Sequence, residues 1–236
     1  PPVAPSPPNA DKGVEKTAPY KSTIAIEGLV GAHGRLDSTS SGYEFDERYG
    51  MLAGGGLFFA PDRNWSVGLS YLRSAAGAEQ FEPGANFTSG KLTRTYHSVL
   101  ANLRAYPLRN DKIGMWAGLS IGATFQTASA SGTTAPLGST WSVLPYKVNA
   151  GPAAGLALGL GVGFDLDVSN DVAFLGSVNL MNHFLSSDSL TDGPTDPIVP
   201  GSGTSTWLDV RAAFQYRFDL SGAKVPVKAT VQTARH

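Results

Sequence analysis

Cysteine is absent from this 236-residue chain, which excludes thiolate metal sites, a catalytic thiol, a disulfide framework and an amino-terminal lipidated cysteine. Long apolar runs are missing as well, and no stretch approaches the roughly 18 consecutive apolar residues of a membrane-crossing helix. Helical periodicity is sustained nowhere. Charge is scarce: Asp, Glu, Lys and Arg together make up 16% of the residues, against about a quarter in an average soluble domain. The formal net charge of −1 leaves no electrostatic footprint for nucleic acid. Glycine, by contrast, is abundant at 28 residues.

Where those glycines fall is the most informative feature. From Leu156 to Val168, the residues Leu156, Leu158, Leu160, Val162, Phe164, Leu166 and Val168 alternate without a break with Ala157, Gly159, Gly161, Gly163, Asp165 and Asp167. A strand points successive side chains to opposite faces, so one face is bulky and apolar while the other is tiny or anionic. Glycine facing water weakens a strand for no gain. The pattern therefore predicts a bulky face against lipid and a small, charged face lining the crowded interior of a narrow barrel.

Along the chain, residues 1–19 are Pro-rich and nearly devoid of large apolar side chains, which predicts an extended tether rather than core. A start at Pro1 is what an exported chain has once its leader is removed. About eight strands follow: Ser22 to Leu36, Tyr49 to Ala60, Trp65 to Arg73, Leu92 to Tyr106, Ile113 to Thr127, Gly155 to Val168, Val172 to Phe184 and Ser205 to Phe218. Long polar links are expected over residues 37–48, 74–91, 128–154 and 185–204. Short turns are expected at Pro61 to Asn64, Leu108 to Asp111 and Ser169 to Asp171. Long loops on one rim and tight turns on the other suit an even-stranded barrel with both termini on the tight rim. The organisation is thus a tether at 1–19, an all-β antiparallel up-and-down transmembrane barrel at 20–218 and a carboxyl-terminal tail at 219–236.

Alternation assigns the faces. Ile24, Ile26, Val30, Val67, Leu69, Val99, Leu103, Leu119, Ile121, Phe174, Val178, Val210 and Phe214 belong outside; Ser66, Ser70, Ser98, Asn102, Ser120, Thr124, Gln126, Asn179 and His183 belong inside. Only MLAGGGLFF, in the second strand, is apolar on both sides and leaves its register open. Aromatic residues cluster near the strand ends in two girdles. Phe58, Phe59, Trp65, Tyr106, Trp116, Phe174, Tyr216 and Phe218 lie beside the short turns; Tyr49, Tyr71, Phe125, Phe184 and Trp207 lie towards the long links.

The strand YHSVLANLRAYPL and the last strand WLDVRAAFQYRF, with its terminal aromatic, carry a resemblance to the small bacterial outer-membrane β-barrels of the OmpA/OmpX type. The chain departs from that pattern by continuing past Phe218 to His236. The resemblance implies a bacterial outer-membrane location with periplasmic termini, and contact with outer-membrane lipid and lipopolysaccharide. It identifies architecture rather than a named activity.

The candidate functional residues are the inward charges: Glu27, Arg104, Asp165, Asp167, Arg211 and Arg217 towards the short turns, with Asp209 higher. Because the first and last strands must pair to close a barrel, Glu27 is expected near Arg211 and Arg217. Buried charges are costly unless paired, so an interior ion-pair network is expected, either as a structural plug or as the gate of a narrow pore. No catalytic residues, metal ligands or cofactor are assigned. His97 and Ser98 point to opposite faces, as do His183 and Ser186, so neither pair joins a nucleophile to its base. The glycine runs lack the strand–helix context of a phosphate-binding loop. Asn86-Phe87-Thr88 is a chance-level glycosylation pattern, and the Asp-rich stretch from Ser187 to Asp196 reads as a solvated loop before it reads as a calcium site. Two tails remain. Pro1, Pro7 and Pro8 belong to a low-entropy tether, while Val225, Val227 and Val231 line one side of a segment able to add to a partner's sheet edge. The sequence thus points to a non-enzymatic anchor or assembly subunit of an envelope complex, binding a protein partner through its tails. A narrow passive channel for ions or small hydrophobic solutes comes second, and a lipid-modifying enzyme third.

Overall fold

The computed structural model describes residues 22–36, 49–81, 87–110, 112–134, 144–186, 189–190, 199–200 and 203–220. Both tails, the asparagine of the Asn86 motif and most of the Asp-rich stretch lie outside them. Ten strands are present among these residues: β1 (Thr23–Arg35), β2 (Tyr49–Ala60), β3 (Trp65–Phe81), β4 (Phe87–Arg109), β5 (Ile113–Thr134), β6 (Leu144–Asp167), β7 (Val172–Leu185), β8 (Ser189–Leu190), β9 (Val199–Pro200) and β10 (Thr204–Asp219). Eight of them close an antiparallel barrel in the order β1-β10-β7-β6-β5-β4-β3-β2, and β8 pairs with β9 in a separate two-stranded sheet. The seam is made by β1 and β10, with Thr23 opposite Asp219 and Arg35 opposite Trp207. Both ends of the barrel therefore lie on the short-turn rim.

The turns follow local chemistry. Asp62 Oδ1 accepts from the Asn64 N–H at 2.6 Å, and Asn110 Oδ1 accepts from the N–H groups of Lys112 and Ile113 at 2.9 and 2.7 Å. These side chains satisfy backbone donors that the strands leave unpaired at a tight reversal.

The outside of the wall is apolar. Leu119 and Leu160 are 54% and 59% exposed, and Leu69, Val162, Phe174 and Val210 are exposed beside them. A soluble domain hides such side chains. A continuous apolar band on a closed sheet is the surface that hydrocarbon selects, and closure pairs the backbone groups of the sheet, as a membrane span requires.

Three expectations change. β3 through β6 run far beyond the apolar band, so residues 76–81, 87–91, 128–134 and 144–154 are strand rather than loop. Ladder hydrogen bonds continue there although the side chains stop alternating. The register of β2 is settled by its neighbours: Leu52 and Phe58 are buried inside, while Met51, Leu57 and Phe59 are exposed outside. Lastly, four rings assigned to the girdles by position, Phe58, Tyr106, Trp116 and Trp207, are buried in the interior.

Glycines make room for those rings. A Cβ on Gly163 would lie 2.5 Å from Trp116 Cζ2, and one on Gly159 would lie 2.5 Å from Met181 Sδ. The small face of the Leu156–Val168 segment is thus small because bulky side chains from other strands lie across it.

Candidate functional site: the lumen

Towards the short-turn rim, Arg104 on β4 reaches across the barrel to Glu27 on β1. Its Nη1 and Nη2 donate to Oε2 and Oε1 at 2.8 and 3.0 Å, the parallel bidentate geometry that suits a guanidinium and a carboxylate. The same guanidinium lies over the rings of Phe58 and Trp116, 4.0 and 4.8 Å from their centroids. Gln215 Nε2 also donates to Glu27 Oε2, at 3.4 Å. Arg217 forms the second centre: it donates to Asp167 Oδ1 at 2.6 Å, to Asp165 Oδ2 at 3.3 Å and to Gln215 Oε1 at 2.7 Å. Gln215 therefore links the two centres into one network. Beside it a cavity of about 20 Å³ is lined by Thr23, Ser66, Tyr106, Gln215 and Arg217, among others, space for roughly one water molecule.

This arrangement corrects the expected partners. Glu27 lies level with Gln215 in the seam, so Arg211 sits four residues away, roughly 13 Å along an extended strand. Arg211 instead donates through Nη2 to Asp209 Oδ2 at 2.6 Å, two residues along its own strand and on the same face. Arg217 is within reach of Glu27's neighbourhood but is taken by the two aspartates of β6. Adjacency along the seam was the wrong guide, because in a narrow barrel a long arginine spans the lumen.

Above this network lies an apolar layer. Leu29, Leu52, Leu72, Leu100, Ala157 and Met181 pack together with Tyr96, Trp207 and Leu185, and both Leu100 and Ala157 have 0% exposure. The inward leucines escape a reading that looks for polar residues on the inner face. Their signal is positional: Leu100 shares its face with Ser98 and Asn102, and Leu72 shares its face with Ser70.

A third, polar layer follows. Ser98 Oγ donates to Thr124 Oγ1 at 2.9 Å, Thr124 Oγ1 lies 3.1 Å from His183 Nδ1, and Gln126 Nε2 donates to the Tyr96 hydroxyl at 2.9 Å. His33 stacks on Trp207 at 4.6 Å. A hydroxyl beside a histidine is the geometry of an activated nucleophile, but here Thr124 has 0% exposure and Ser98 and His183 are buried with it. His97 and Ser98 do face opposite ways, with His97 on the outer wall against Tyr71. His183 is buried inside, whereas Ser186 is exposed past the end of β7. Among the described residues no group of three His, Asp or Glu side chains is placed to hold a metal ion.

No protein-family model matches the chain, and no curated protein does. Solved structures do match. The outer membrane protein OprG from Pseudomonas aeruginosa superposes with a TM-score of 0.50 at 14% identity, over 84% of this chain and 96% of that one. The fold is that of the small eight-stranded outer-membrane β-barrels. Two lower-scoring matches have TM-scores of 0.48 and 0.46: a major outer membrane protein from Thermus thermophilus and Ail, the attachment invasion locus protein of Yersinia pestis. Each is 14% identical over 84% of this chain, covering 100% and 99% of the other chain respectively. At such identities the likeness concerns the fold alone.

Proposed function

We propose that this chain is a plugged, non-enzymatic barrel of the bacterial outer membrane, serving as a structural anchor or assembly subunit of an envelope complex. Its short-turn rim and both termini face the periplasm, and its tall strands stand outside the cell. The observation that carries this reading is the layered filling of the lumen. A solute must break the Glu27–Arg104 and Arg217 ion pairs, pass the leucine layer and then part the Thr124–His183 layer. An apolar constriction alone resists ions by dewetting, and three stacked layers resist them further. The work of such a barrel then falls to its outer surface, its tall strands and its tails, with an envelope protein as the partner held by the tails.

Planar-bilayer recording tests this. The refolded full chain is expected to give no conductance steps, whereas Leu100→Gly combined with Leu52→Gly opens the apolar layer and gives measurable ones. Steps from the parent protein would favour the second reading, a narrow passive channel gated by the Arg104–Glu27 pair, whose mouth is the small cavity at the short-turn rim.

A further inference from the structure

The upper edge of the apolar band carries an unusual pair of side chains. On the outer wall, Arg73 of β3 lies directly opposite His97 of β4, and His97 in turn lies opposite Phe125 of β5. One row nearer the short turns come the apolar Val99 and the ring of Tyr71, both exposed; one row further up come Thr95 and Thr127, opposite each other. Arg73 and His97 thus stand where hydrocarbon gives way to polar headgroups.

His97 is held in place. Its Nδ1 lies 2.7 Å from the Tyr71 hydroxyl, and the two rings stack with centroids 6.1 Å apart. With that hydroxyl donating to Nδ1, the ring proton sits on Nε2, which is left to donate away from Tyr71. Arg73 is exposed and brings a permanent positive charge with a planar array of donors. The carboxylates whose side chains are described lie elsewhere: Glu27, Asp165, Asp167 and Asp209 face the lumen, and Asp62, Asp171 and Asp219 lie at the opposite rim. A cation fixed at the edge of a hydrocarbon layer, with neutral apolar wall beneath it, is complementary to an anionic headgroup whose acyl chains run down that wall.

The geometry points to a phosphate site for a membrane lipid, formed by Arg73 and His97 and oriented by Tyr71. It rests on reading the chain as an outer-membrane barrel and adds which residues of the wall hold a lipid and by which chemical group. The phosphate is gripped at the Arg73–His97 row, and the chains lie along Val99, Ala123 and Ile121. Lipid A, with its phosphorylated sugars, is an outer-leaflet lipid of this chemistry.

Native mass spectrometry of the full chain released from phosphatidylcholine nanodiscs tests the site. The discs are doped with lipid A bearing its phosphates or with the phosphate-free form. The parent is expected to retain the phosphorylated lipid about tenfold more than the phosphate-free one. Arg73→Gln with His97→Gln should retain both equally, Tyr71→Phe should show a partial loss, and Lys112→Gln at the opposite rim should behave as the parent. Equal retention of both lipids by the parent overturns the proposal without any variant being needed. So does undiminished retention by the double variant, or a loss in Lys112→Gln as large as that in the double variant. Displacement of the lipid by an equal concentration of inorganic phosphate overturns the assignment to a lipid in favour of a soluble anion. Because lipid A is present in both leaflets of the disc, the result does not depend on which rim faces the cell exterior or on whether the lumen conducts.

Discussion

The ion pair between Arg104 and Glu27 is the residue-scale feature whose removal the barrel should feel most. Both side chains are nearly enclosed, at 11% and 3% exposure, and a buried charge that loses its partner costs about 3–5 kcal/mol, whereas replacing both partners by uncharged groups of similar size is close to neutral. Arg104→Met is therefore expected to lower unfolding stability in urea by about that amount. Adding Glu27→Gln should restore most of the loss, a non-additivity that a double-mutant cycle measures directly. Arg211→Met should leave Glu27 untouched, since Arg211 serves Asp209. At this scale alternation was the guide to which charges face inward, and it passed over Arg94, which is buried as well. It did not show which charges meet. A partner across the lumen depends on the barrel's diameter and on the length of the arginine side chain, and neither is local to any strand.

At the level of strands, the alternation makes the two faces of the wall unequal in tolerance. Leu119→Arg or Leu160→Arg places a cation near the midplane of the apolar band and should cost about 2–4 kcal/mol of folding stability in a bilayer. Gly161→Ser on the inner face should cost less. The closest atoms to a Cβ there belong to the amide end of Asn179, a flexible group. Equal losses at both faces, measured by denaturant unfolding in lipid vesicles, would reverse the assignment of inside and outside. The strands were legible within the membrane and not above it. In 128–134 and 144–150, residues such as Ser129, Ser131, Lys147 and Asn149 have no apolar face to alternate, because no lipid is there to select one. Their pairing rests on backbone hydrogen bonds that leave no trace in side-chain pattern. Two prolines also fall here. Pro145 pairs with Thr133 of β5, and Pro152 lies in the register break between the pairs Gln126–Ala153 and Ala128–Ala150; both precede Gly155, where the ladder with β7 begins, and an edge or a bulge of that kind admits proline.

For the whole molecule the decisive contact is the seam, and it sets what the tails are free to do. The barrel closes between Thr23 and Asp219, so residues 1–19 and 221–236 both lie beyond the last pair that closure requires. Deleting either segment removes none of the described strands of the barrel, ion pairs of the lumen or leucines of the apolar layer. The shortened chains are therefore expected to fold and to resist heat as the parent does, migrating as compact species on unheated gels and shifting only on boiling. Association is a different matter. Prolines such as those at positions 1, 7 and 8 fix φ and would reduce the entropy lost were the proposed tether ordered on a partner, and the alternating Val225, Val227 and Val231 of the sequence are what a segment proposed to add to a neighbouring sheet edge would need. Each deletion should thus reduce recovery of the partner assembly in mild detergent while leaving the yield of folded barrel unchanged. Undiminished recovery after both deletions would remove the anchoring role and leave the outer wall and the tall strands as the working surface. Loss of folding on either deletion would instead show that a tail is part of the barrel's own stability, and the seam would then have to be closed by more than the pairs between β1 and β10.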